Sequence, residues 1–240
     1  MKRTIRVFSL LLAAVMLLSA QALATEPAQA VTDVEHSGQC LCGLPRVEPA
    51  QAFTDVSKQD YFYDAVNWAV EKEITSGVSK DVFAPNRDCT RIDFVTFLWR
   101  AAGKPVVNFA MSFSDVKEGA YYAEAVRWAA SLGIVTGLSQ NTFGAANAVT
   151  REQAVTMLWR FAKAQSFDTT QGGMAIREYN DYDSLSEYAR EAMAWAVNTE
   201  ILKGANNRLL PDAACTRAQL VTLLYRLESQ TADKVDYSGD

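Results

Sequence analysis

The chain has 240 residues, 49% of them hydrophobic and 21% charged, which is enough to bury a sizeable core. Its formal net charge of -5 comes without any basic run or stripe, which argues against nucleic acid and anionic membrane surfaces as partners. His36 is the single histidine, so no Ser-His-Asp or Cys-His nucleophilic site can form in the chain beyond it.

Residues 1–24 read as an export signal. Lys2, Arg3 and Arg6 precede an apolar run over residues 7–18, and Ala22-Leu23-Ala24 supplies small residues for cleavage. The run falls short of the roughly 20 residues that span a bilayer, so no membrane insertion is expected after cleavage. Losing three basic and no acidic residues takes the formal charge from -5 to -8. Residues 25–52 carry Pro, Gly and small polar residues without apolar periodicity and read as a linker. His36, Cys40 and Cys42 within it match no standard zinc spacing, so no metal is expected there. Residues 228–240 read as a short acidic tail.

Between linker and tail the chain repeats itself three times, over residues 53–103, 113–164 and 179–227. Asp55, Asp115 and Asp181 open the copies, and Thr-Arg follows each Asp at a distance of 35 residues, as Thr90-Arg91, Thr150-Arg151 and Thr216-Arg217. In between stand Trp68, Trp128 and Trp195, each followed nine residues later by Gly77, Gly137 or Gly204.

Each copy predicts two helices. The first carries the Trp among Ala and Val at helical spacing and ends near the Gly, which permits the positive φ of a reversing chain. The second starts at Thr90, Thr150 or Thr216, with Asp93, Gln153 or Gln219 three residues on, a capping-box pattern in the last two copies and a weaker version in the first. Positions four, seven, eight and eleven after each Thr are apolar in all three copies: Phe94, Phe97, Leu98 and Ala101, then Ala154, Met157, Leu158 and Phe161, then Leu220, Leu223, Leu224 and Leu227. One repeat cannot bury such a stripe alone, so the three are expected to converge in one all-α domain. A closed pseudo-threefold bundle and an open superhelix both satisfy the pattern.

Phe-x-Asp-Val, Ile-x-x-Gly, Phe83-Ala84-Pro85 and Thr-Arg, in that order, resemble the S-layer homology (SLH) module, present as three tandem copies. The resemblance implies three helical repeats packed as a pseudo-threefold, three-pronged bundle that holds an exported protein non-covalently on a bacterial cell wall. It also implies a cell-wall polysaccharide partner, often pyruvylated, bound in grooves between adjacent modules, with no cofactor and no catalysis. Thr and Arg of the family's Thr-Arg-Ala-Glu motif are kept in every copy, but the Ala survives only at Ala218 and the final Glu in none. The alternative is a structural module that uses the same grooves to bind an exported protein partner or to assemble with itself.

The candidate site residues each carry two readings. Arg91, Arg151 and Arg217 lie in the first turn of a helix, where the dipole disfavours a cation, so their placement favours an anionic ligand gripped through a bidentate pair. The competing role is a bridge to a neighbouring repeat's carboxylate, at Asp55, Asp115 or Asp181. Trp68, Trp128 and Trp195 suit either a sugar face or the core. Gly77, Gly137 and Gly204 suit either a turn or a ligand's approach to the backbone. Cys89 and Cys215 occupy equivalent positions where the second copy has Val149, and read as small buried residues or as disulfide partners of Cys40 and Cys42. The acidic residues are scattered over helix surfaces, so no glycosidase pair is expected.

Overall fold

The computed structural model describes residues 53–235. The export signal, the linker and any pairing of Cys40 or Cys42 lie outside the described residues. Among the described residues are six α-helices, α1 (Tyr63–Glu71), α2 (Arg91–Ala101), α3 (Ala123–Ser131), α4 (Arg151–Ala164), α5 (Arg190–Asn198) and α6 (Arg217–Val235), and three short 3-10 helices between α4 and α5. Among the described residues, extended backbone appears only as isolated antiparallel bridges, and the fold is all-α.

The two helices of a repeat form for different reasons. Thr90 caps α2 by accepting from the Asp93 N–H at 3.2 Å, and Thr150 and Gln153 form a full capping box on α4. On α6, Gln219 N–H donates to Thr216 Oγ1 at 3.4 Å while Gln219 Oε1 accepts from Thr216 N–H at 3.1 Å. By contrast α1, α3 and α5 are nine residues each and have no side-chain cap. Helices that short are marginal alone; their buried faces hold them in place.

Packing runs across repeat boundaries. The first helix of a repeat lies against the second helix of the preceding one: α3 on α2, α5 on α4, and α1 on α6, which closes the ring. The second helices α2, α4 and α6 also touch each other. All twelve stripe positions are buried except Ala101, which packs half-buried against the core. α6 continues beyond the last repeat position to Val235, and the Gln230 amide donates to Thr199 O at 2.7 Å. The segment expected as an acidic tail is therefore helical as far as residue 235.

The ring closes on backbone hydrogen bonds at its centre. Cys89 N–H donates to Cys215 O, Cys215 N–H to Val149 O, and Val149 N–H to Cys89 O, all at 2.9 Å. Each of these residues is fully buried. A three-membered cycle of this kind requires all three repeats at once, so closure is cooperative. Cys89 and Cys215 are free thiols in this core, and burial, ahead of nearby charges, pushes both up to about 12.

The chain reverses after each first helix at Glu73, Gly133 and Glu200, all with φ between 54° and 67°. The glycines four residues further on serve another purpose. A Cβ on Gly77, Gly137 or Gly204 would collide with the ring of Phe53, Phe113 or Tyr179, the aromatic that opens the same repeat.

Candidate functional site

Each junction between repeats is assembled in two steps. The opening carboxylate first fixes its own repeat's loop. Asp55 accepts from Phe83 N–H at 2.9 Å and Ala84 N–H at 2.7 Å; Asp115 accepts from Phe143 and Gly144 at 2.7 Å and from Ala145 at 3.0 Å; Asp181 accepts from Leu209 and Leu210 at 2.8 Å. These bonds offset a left-handed backbone at Ala84, Gly144 and Leu210, with φ of 59°, 77° and 55°; outside glycine that conformation costs roughly 1–2 kcal/mol. Burial works to raise the carboxyls of Asp115 and Asp181, but the backbone donors together outweigh it and hold both below the ordinary range.

The loop so fixed presents a carbonyl to an arginine from another repeat. Arg91 Nε donates to Phe143 O at 3.0 Å, Arg151 Nε to Leu209 O at 2.7 Å, and Arg217 Nε to Phe83 O at 2.9 Å. Arginine and aspartate are thus linked through one loop and not by a direct ion pair. A tyrosine from the remaining repeat is close enough to each arginine to interact with it electrostatically: Tyr188 with Arg91, Tyr61 with Arg151 and Tyr121 with Arg217, in the same cyclic order. These tyrosines recur six or seven residues after the opening Asp, a signal present in the sequence and not used in reading it.

The guanidinium groups differ in what remains free. Arg91 is 4% exposed and also donates to Thr136 O at 3.0 Å and to Gln153 Oε1 at 3.2 Å. Arg217 is likewise 4% exposed, donates to Thr75 Oγ1 at 3.4 Å and sits 5.0 Å from the Phe83 ring centre. Burial draws both below the ordinary arginine value, opposed by Tyr188 and Asp115 at Arg91 and by Cys89 and Asp93 at Arg217. Arg151 is only partly buried, and no described residue accepts a hydrogen bond from its terminal nitrogens. It borders a cavity of about 280 Å³ that is also lined by Tyr61, Lys203, Gln219, Thr222 and Arg226.

The remaining candidates lie away from these openings. Trp128 and Trp195 are buried in the core, and Trp68 packs on Tyr225 of α6 with ring centres 5.6 Å apart. Among the described residues no group of three or more His, Cys, Asp or Glu is arranged to hold a metal ion, and no helix is long and apolar enough to cross a membrane.

Comparison with known proteins agrees with this construction. The S-layer homology domain matches three times, at residues 52–95, 112–155 and 178–221, together more than half of the chain. An endoglucanase from Bacillus sp. (strain KSM-635) is 29% identical over 184 residues, covering 73% of this chain and 19% of the relative. An amylopullulanase from Thermoanaerobacterium thermosulfurigenes is 27% identical over 171 residues, or 71% of this chain and 9% of that enzyme. The S-layer protein sap of Bacillus anthracis is 23% identical over 177 residues, 73% of this chain and 21% of the relative. The chain therefore spans about a fifth or less of the length of each.

Proposed function

The chain belongs to the S-layer homology family, and from that premise we propose that it holds an exported protein on the wall of a Gram-positive-type envelope by binding a pyruvylated secondary cell-wall polysaccharide. The family is one of binding and anchoring modules, which in S-layer proteins and cell-surface enzymes attach the protein to the cell surface. The finer reading, an acidic sugar as ligand, is supported by one observation: a guanidinium with free donors beside an open groove. A carboxylate ketal matches that fork with two parallel hydrogen bonds. The role is non-catalytic. The three repeat-opening carboxylates are committed to backbone amides, which suits a structural role.

Retention of the mature protein by purified wall sacculi tests this. Binding that disappears when the secondary polymer is chemically stripped is the expected result. Equal retention on stripped walls would leave the polysaccharide without a role.

A further inference from the structure

We infer that Cys89 and Cys215 become a disulfide in the exported protein, a bond that joins the first repeat to the last through the centre of the ring. The spacing along the chain pointed to Cys40 and Cys42 as their partners; the fold sets the two against each other.

Asp88 and Thr216 face each other as an antiparallel bridge, which sets Cys89 opposite Cys215, and the bond from Cys89 N–H to Cys215 O at 2.9 Å keeps that register. Residues opposite one another in such a pair have Cα atoms about 4.5–5.5 Å apart, inside the roughly 4.4–6.8 Å that a disulfide spans, and their side chains leave the same face. Their Cβ atoms stand about 4.5–5.5 Å apart against about 3.5–4.5 Å in a disulfide, so the bond draws the two segments in by up to about an ångström. Both thiols are fully buried, and charge on Cys215 reaches Cys89. The bridges Thr90 to Ala148 and Thr150 to Ala214 put Val149 at the third corner of the same cycle. Among the described residues each sulfur therefore has one possible partner, the other.

Export takes the chain out of the reducing cytosol. Outside, the oxidant is a disulfide, carried by a small molecule or by another protein. The thiolate of one cysteine attacks that disulfide and expels one thiolate; the thiolate of the other cysteine attacks the mixed disulfide, forms the Cys89 to Cys215 bond and expels the second. The two electrons pass to the oxidant's sulfurs, and the two protons lost by the cysteines end on the thiols released. This exchange precedes ring closure, because in the closed ring neither thiol is exposed and burial, pushing both up to about 12, keeps them protonated. After closure the same burial shields the bond from reductant. The loop it closes runs from residue 89 to residue 215, and a loop of that length removes much of the unfolded chain's freedom. A ring held shut by three hydrogen bonds is thereby held shut covalently.

The test uses the full mature chain collected from exporting cells, unfolded in guanidinium with iodoacetamide and digested with trypsin. Without reductant, the peptides of residues 88–91 and 209–217 are expected to run in mass spectrometry as one species, two hydrogens lighter than their sum, and to separate on reduction. Recovery of both cysteines alkylated without reductant overturns the assignment, as does a bond from either to Cys40 or Cys42. The double variant Cys89→Val with Cys215→Val, which repeats Val149 at all three corners, is expected to fold with unchanged helix content. Its melting temperature should lie roughly 5–15 °C below that of the oxidised wild type and ignore reductant, while the wild type loses that margin when melted with reductant present. Equal melting of oxidised and reduced wild type would overturn the bond's role in holding the ring.

Discussion

The junctions at Arg151 and Arg91 start from the same parts and end as different objects. Both have an Asp holding a loop, a loop carbonyl accepting from an arginine Nε, and a tyrosine of the remaining repeat within electrostatic reach. At Arg91 two further acceptors take the terminal nitrogens of a buried guanidinium, and a carboxylate tethers the tyrosine. At Arg151 those acceptors are missing and the groove stays open. Repetition of a motif therefore conserves the backbone tie, while the number of polar groups left open at a junction depends on the residues around it.

The largest test of this comparison removes its frame. Both junctions presuppose a closed ring, in which α1 needs α6 and α4 needs α5. Deleting residues from 179 onward strips both partners and breaks the central three-bond cycle. Loss of a cooperative thermal transition by circular dichroism is expected. A truncated chain that melts sharply at the full-length temperature would show that the ring is not the folding unit.

Next comes stability at the arginines themselves. Arg91→Ala orphans the buried carbonyl of Phe143 and also removes the bonds to the exposed Thr136 and to Gln153, a loss of about 2 kcal/mol, whereas Arg151→Ala loses only the bond to Leu209 O and costs about 1 kcal/mol. Urea unfolding distinguishes them. Equal losses would mean that the two junctions are structurally alike after all.

Acid separates the loops from the arginines. Asp115 and Asp181 have carboxyls held below their unfolded value, so their contribution is fully present above about pH 4 and fades as pH falls through their folded values. Asp115→Asn lacks that contribution at every pH. The stability gap between wild type and Asp115→Asn should therefore be widest near neutrality and shrink below about pH 4. A gap that is constant with pH would place the value of Asp115 elsewhere than in its charge.

The smallest effect expected is that of salt on wall retention. At a formal charge of -8 after signal removal the protein and an anionic polymer repel at long range, and screening over about 8–10 Å relieves this while sparing a close guanidinium pair. Retention should be flat or slightly stronger from low to physiological salt. A steep loss would point to diffuse attraction by a basic surface instead.

Residues close together in the chain made much of this molecule legible beforehand. The three repeats, the caps at Thr90, Thr150 and Thr216, and the apolar stripes of α2, α4 and α6 could be read because capping spans three residues and a helical face repeats every three or four. A single spacing rule therefore carried the helix content and the all-α class. The choice between a closed ring and an open superhelix was not so determined, because it depends on α1 meeting α6 from the opposite end of the domain. Nor did the sequence separate three identical Thr-Arg pairs. The terminal nitrogens of Arg91 find acceptors 45 and 62 residues away, whereas among the described residues Arg151 has only the Leu209 carbonyl, taken by its Nε. Local motifs specify which side chain is available at a junction; the tertiary neighbours decide whether its hydrogen bonds are spent on the protein or left for a ligand.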